Sequence, residues 1–228
     1  MTTTENAPTD HPTTDTGLAD GDPRRSFAKA WATSAAIATA IRPDQLADPT
    51  PCTEYDVDQL RRHLFSVGHR VACLGRGGDP FSVPEVAEDV AGDDWAAAWA
   101  EAGQEVQSAW ADEATLSTII TLPWAQMPGT ATLAMYVNEV TVHTWDLAVA
   151  TGQAPEWDEA VLALGFEAIQ IGLPAAGRTE QYDAIRDDMP EGMEGFTPPF
   201  AAAVHVADGA PLIDRLVAWN GRNPAWPA

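Results

Sequence analysis

The sequence predicts an all-α fold: a four-helix bundle with crossover connections, a short extended segment and extra helices at its C-terminal end. Three observations point there. Apolar residues recur at three- and four-residue intervals through several long segments, glycine or proline punctuates their ends, and only one short stretch is rich in β-branched residues. With 228 residues, 45% of them apolar, the chain is long enough for one good core and short for two.

The first helix starts at Arg24, and Phe27, Trp31, Ala35 and Ala38 keep helical spacing until Pro43 ends it. A turn over 48–53 leads to the second, with Asp56 or Thr53 as N-cap. Its stripe is Leu60, Leu64, Val67, Val71 and Leu74, and the glycines over 75–78 close it. The third opens at Asp93 or Asp94 and carries Trp95, Trp99, Ala102, Val106 and Trp110 on one face; Gly103 weakens it by up to about 1 kcal/mol. Residues 116–122, partly alternating and β-branched, predict an extended segment or short hairpin before the Pro128-Gly129 turn. A long helix follows over 130–150, closed by Thr151-Gly152, and another over 157–172. Residues 172–200, rich in Gly and Pro, read as irregular. A last short helix with Pro211 in its first turn carries Leu212, Leu216 and Trp219 and stops at Gly221.

Residues 1–22 hold seven Thr and five acids, no base and little that is large and apolar, so burial cannot offset the entropy of ordering them. They predict a disordered acidic tail, leaving 24–228 as the bundle domain. The whole chain carries 34 acids against 12 Lys and Arg, a net charge of −22, which repels polyphosphate and anionic bilayers. Nucleic acid and membrane are therefore excluded as partners. No apolar run reaches the roughly 18 residues of a transmembrane helix and no signal peptide is evident, so a cytoplasmic protein is expected. Cys52 and Cys73 are too few for a disulfide scaffold. Nine tryptophans supply material for a homodimer interface.

Bundles bind metals and cofactors through side chains on facing helices. On the long helix, Glu139 and His143 are four residues apart, about 40° around the axis, with Met135 and Asp146 on the same arc and Tyr136, Val140, Val142 and Leu147 flanking it. A Glu-x-x-x-His pair is also common on solvated helix faces. A second imidazole, His63 at the edge of the stripe of helix two, makes three metal-ligand candidates on two core-facing helices: His63, Glu139 and His143. A divalent ion would pair with a carboxylate and imidazoles buried together. His69 is expected to face solvent, His205 has no partner at ligand spacing, and His11 is in the tail. Arg70 and Arg76 either balance surface acids or receive a substrate carboxylate, and Trp145 packs in the core.

Two segments resemble a known family. Residues 50–64, TPCTEYDVDQLRRHL, are similar to the "TPC-x-x-W-x-V-x-x-L-x-x-H-L" motif of the mycothiol-dependent maleylpyruvate isomerase N-terminal family, within the DinB-like superfamily. Residues 138–152, NEVTVHTWDLAVATG, resemble its second signature, "E-x-x-x-H-x-W-D-L-A-x-A-T-G". The ending PLIDRLVAWNGRNP, residues 211–224, is similar to the close of a metal-binding subgroup. Tyr55 stands where the family usually has Trp, a change expected to affect packing near the turn more than ligation. The resemblance implies a DinB-type four-helix bundle and a divalent metal, most often Zn²⁺, with Ni²⁺ or Fe²⁺ as alternatives, held by His63, Glu139 and His143. The length leaves no room for the isomerase's separate C-terminal domain, so the shared feature is the metal chemistry rather than the isomerase's own substrate.

Three protein ligands with an open fourth position suit a catalytic Zn²⁺ site; Cys52 in that position would instead close it. Two imidazoles and one carboxylate leave a Zn²⁺ site at +1, which favours an anionic ligand such as a thiolate. The resemblance names that thiol as mycothiol. The expected function is activation of mycothiol for S-transfer to, or thiol-assisted isomerisation of, a small electrophile. Asp146, three residues beyond His143, is the candidate catalytic residue, orienting an imidazole N–H or a substrate group. Two alternatives stand beside this: a non-catalytic metal- or small-molecule-binding protein, and a metal-dependent hydrolase in which water takes the open position and Glu139 or Asp146 assists proton transfer.

Overall fold

A computed structural model describes residues 18–19, 21–88, 90, 94–122, 125–186 and 200–227. The expected tail therefore lies almost wholly outside the described residues, as does Asp93. Eight α-helices are described: α1 (Pro23–Thr39), α2 (Val57–Gly75), α3 (Trp95–Ala109), α4 (Glu113–Ser117), α5 (Gly129–Ala150), α6 (Glu159–Gly172), α7 (Arg178–Arg186) and α8 (Leu212–Trp219). Strands β1 (Ile119–Leu122) and β2 (Ala125–Pro128) form a two-stranded antiparallel ribbon, Ile119 opposite Pro128. None of the described helices is long and apolar enough to cross a membrane.

Aspartate starts most of these helices. Asp22, Asp56, Asp94, Asp112 and Asp158 each accept a backbone N–H from the first turn of the helix that follows. Asp56 does so in a reciprocal box, taking the Gln59 N–H at 2.8 Å while the Gln59 side chain takes the Asp56 N–H. Part of the acid excess is thus local, placed where the positive end of a helix dipole favours it.

Helices α1, α5, α2 and α3 close a ring, each packing on the next and α3 returning to α1. Because α1 and α2 lie diagonally in that ring, the link between them is a crossover. A second layer, α6 and α8, covers the outer side of α5. Helix α5 is therefore buried nearly all round: Leu133, Val137, Val140 and Leu147 face the bundle, and Val142 and Trp145 face a second cluster with Phe166, Ile169, Phe200 and Leu216. Trp31, Trp95, Trp99, Trp110 and Trp145 are all buried. Trp31 stacks on Trp99 with ring centres 5.2 Å apart and donates its indole N–H to the Trp99 carbonyl at 2.9 Å.

Two glycines make room for Trp31. A Cβ on Gly103 would meet its indole Cδ1 at 2.9 Å, and one on Gly68 would run into Cη2 more closely still. Gly68→Ala is expected to lower stability by about 1–3 kcal/mol by overpacking, although alanine is the better helix former by about 1 kcal/mol. Thermal unfolding followed by circular dichroism checks this, and a variant as stable as the parent would contradict the packing.

Two segments differ from the sequence reading. Leu116 and Ser117 lie in a short helix rather than starting a strand, because Asp112 accepts the Ala114 N–H at 2.9 Å and opens a helical turn. The stretch read as irregular contains α7, a polar helix with no apolar stripe to reveal it. Residues 187–199 of that stretch lie outside the described residues.

Candidate metal centre

Helix α2 delivers His63 from its packed side and α5 delivers Glu139 and His143 one turn apart. The imidazole Nε2 atoms of His63 and His143 lie 3.7 and 3.5 Å from the same Glu139 Oε1. Both imidazoles are buried, whereas the Glu139 side chain keeps 24% of its surface exposed, so the cluster opens on the glutamate side. One ligand atom from each of the three residues fits within a 4.8 Å group.

The ring orientations are fixed from behind. His63 Nδ1–H donates to the Glu85 carbonyl at 2.9 Å, and His143 Nδ1–H donates to Asp146 Oδ2 at 3.1 Å. With each Nδ1 committed as a donor, each Nε2 is the nitrogen left for a cation, which would take the place of any proton it shares with Glu139. Ligands about 2.0–2.1 Å from a tetrahedral ion stand about 3.4 Å apart, close to the separations here. The donor set and its spacing therefore fit a divalent ion.

Burial works to raise the Glu139 pKa, but the imidazoles beside it, His143 first and His63 next, hold the carboxyl well below the usual carboxylate range. For His143, burial works downward and the carboxylates of Asp146 and Glu139 outweigh it, holding the imidazole up to about 9. A proton shared toward Glu139 is what a cation arriving at this point displaces.

Two parts of the surround were not visible in the sequence. Tyr55 stacks on His63 with ring centres 5.0 Å apart, and its hydroxyl donates to Glu85 Oε1 at 2.6 Å. This residue therefore touches a candidate ligand directly, and its reach goes beyond packing at the turn. The second part is Arg222. Asp146 is fully buried, and Arg222 donates to it from Nε and from Nη2, the latter at 3.0 Å to Oδ2. A line of contacts thus runs Arg222, Asp146, His143, with Phe200 beside both the guanidinium and the imidazole.

Arg222 reaches this place because of how α8 ends. Asn220 caps the helix, Gly221 takes a left-handed φ of +78°, and the N–H groups of Gly221 and Arg222 bond back to Ala218 and Val217. That turn sends the chain back toward α5. Asn220 and Asn138 lock the two helices together by reciprocal amide bonds of 3.0 and 2.8 Å. The glycine after Asn220 was readable as a helix stop; the destination of the following arginine was not.

The other candidates separate. Cys52 is buried and groups with His143 and Asp146, not with His63 and Glu139; burial pushes its thiol up to about 11, with Arg222 opposing. His69 sits against Phe65 and 3.4 Å from Glu105, His205 is exposed, and Arg76 pairs with Glu105 at 3.2 Å.

The profile of the mycothiol maleylpyruvate isomerase N-terminal domain family matches residues 27–148, more than half of the chain, and includes His63, Glu139, His143 and Asp146 but not Phe200 or Arg222. The chain belongs to that family. Its helical architecture is the DinB-like one that the family implies. Two proteins of Mycobacterium tuberculosis, Uncharacterized protein Rv0738 and Uncharacterized protein MT0763, are each 26% identical to it over 201 residues, which span 88% of this chain and 98% of theirs. The similarity thus continues past the family domain. No solved structure matches the chain.

Proposed function

We propose that this member of the mycothiol maleylpyruvate isomerase N-terminal domain family is a divalent-metal enzyme that activates a small thiol, mycothiol, toward a small electrophile by S-transfer or thiol-assisted isomerisation. The observation that carries the reading is the convergence of His63 Nε2 and His143 Nε2 on one oxygen of Glu139, each ring held by an Nδ1 hydrogen bond. His63, Glu139 and His143 are the proposed ligands of a Zn²⁺-class ion. When bound, such an ion supplies a Lewis-acidic point at which a thiol is held as its thiolate near neutral pH.

The chain's own groups do the rest. Glu139 offers one charge against the ion's two, leaving the centre positive within an acidic protein and favouring an anionic sulfur. Asp146 accepts from His143 Nδ1, which leaves Nε2 as the nitrogen for a cation, and Arg222 holds Asp146 in place. Asp146 acts as a positioning residue: fully buried, with both oxygens engaged by Arg222, it has none to offer a substrate. This weighs against hydrolysis assisted by Asp146. Cys52, standing with Asp146 rather than with His63 and Glu139, leaves the solvent side of the centre to an external ligand.

Replacement of the ion by Co²⁺ tests the proposal. Addition of mycothiol is expected to produce a sulfur-to-cobalt charge-transfer band in the near ultraviolet. An unchanged spectrum at saturating thiol would overturn the thiol reading.

A further inference from the structure

Beyond the centre, Arg70 of α2 has no carboxylate partner among the described residues. Arg24, Arg42, Arg61, Arg62, Arg76 and Arg222 each reach an acid at 2.5 to 3.2 Å. Arg70, in a chain with 34 acids, reaches none among the described residues. Its Nη2 donates to the Val83 carbonyl at a long 3.3 Å, its Nε is buried without a partner, and its Nη1 donates to no atom of the described residues. A half-buried guanidinium left this way is under-satisfied.

Its position relates it to the centre. Arg70 follows His63 by seven residues, two turns of α2, which brings it back to within about 20° of the same face. Side chains on a helix lean toward its N-terminus, so Arg70 leans back along α2 toward His63. On α5, Tyr136 precedes Glu139 by three residues on the same side. Burial is the main cause raising the Tyr136 phenol's pKa, Glu139 adds to it and Arg70 opposes it, so the hydroxyl stays a neutral donor in the field of both charges. It donates to no group of the described residues. The segment that receives the Arg70 bond, at Val83, is also the one that receives the His63 bond, at Glu85.

We propose that Arg70 and the Tyr136 hydroxyl form an oxyanion-binding subsite beside the His63–Glu139–His143 centre, on the same face of α2 and α5. The ligand presented there then carries a carboxylate-class anion a few bonds away from the atom facing the metal. A planar guanidinium with free N–H groups beside a phenol donor recognises a carboxylate through charge-assisted hydrogen bonds. The proposal rests on the metal–thiol reading and adds a second point of attachment to it.

Short thiols used as rulers on the Co²⁺ protein test it. The dissociation constant of 3-mercaptopropionate, read from the charge-transfer band, is compared with that of its neutral amide. The acid is expected to bind at least about tenfold more tightly, the effect of one charge-assisted hydrogen bond set. In Arg70→Met the two should agree within about twofold, and Tyr136→Phe should fall between. 2-Mercaptoethylphosphonate distinguishes the source of the anion: weaker binding than the carboxylate assigns the subsite to carboxylates, and tighter binding overturns that assignment. Equal binding of acid and amide by the unaltered protein, a comparison that needs no variant, overturns the subsite alone. A band with neither compound overturns the metal–thiol reading and the subsite with it.

Discussion

Glu139→Gln is expected to lower divalent-metal affinity by at least about 100-fold, the share of one ligand when a structural Zn²⁺ site is worth about 10–16 kcal/mol over four. The substitution keeps the shape of the side chain and removes its charge, so the two imidazoles are left with a neutral amide between them. Its side chain is the most exposed of the three, and the surrounding core of Val137, Val140 and Leu133 does not depend on it. The fold should therefore persist, and circular dichroism of the chelator-treated variant should match that of the parent treated alike. Titration with Zn²⁺ against a competing chromophoric chelator gives the affinity. A variant that keeps parental affinity would remove Glu139 from the ligand set.

Arg222→Met is expected to act on stability and on metal affinity together. Breaking a buried ion pair by removing one partner leaves an uncompensated charge and costs about 3–5 kcal/mol, a fall of roughly 6–20 °C in melting temperature at this size. Asp146, fully buried, is the charge left behind. Loss of an outer partner of a metal-binding histidine typically weakens metal affinity by about 10–100-fold, and His143 loses the group that keeps its own partner in place. The double variant Asp146→Leu/Arg222→Met separates the two effects. Removing both charges should recover much of the stability, because neither a carboxylate nor a guanidinium is left buried without its partner. Metal affinity should stay low, because His143 Nδ1 no longer has its carboxylate. Recovery of both properties in the double variant would make the pair a packing feature only.

The helices whose apolar residues keep a strict period and whose ends carry Asp, Gly or Pro were legible in the sequence: α1, α2, α3, α5, α6 and α8. Helix α4 is a single capped turn, too short for a period, and α7 is mostly polar. The gathering of His63, Glu139 and His143 was legible for a similar reason. Four-residue spacing puts Glu139 over His143, and the neighbouring Leu64 marks the face of His63. What holds those residues was not legible. His63 is fixed by a backbone carbonyl, which any residue at position 85 would provide, and Asp146 by an arginine 76 positions away beyond a glycine turn. Arg70 was readable as a possible carboxylate receiver, but only the fold shows that no acid of the described residues answers it.

The central claim is that a divalent ion sits between helices α2 and α5. Anomalous diffraction from crystals of the protein equilibrated with Zn²⁺, recorded on either side of the zinc edge, tests it most directly. The account predicts one strong peak bonded to Nε2 of His63, Nε2 of His143 and the Glu139 carboxylate, with a non-protein ligand on the exposed side. No peak there, or a peak held instead by Cys52 and Asp146, would contradict it.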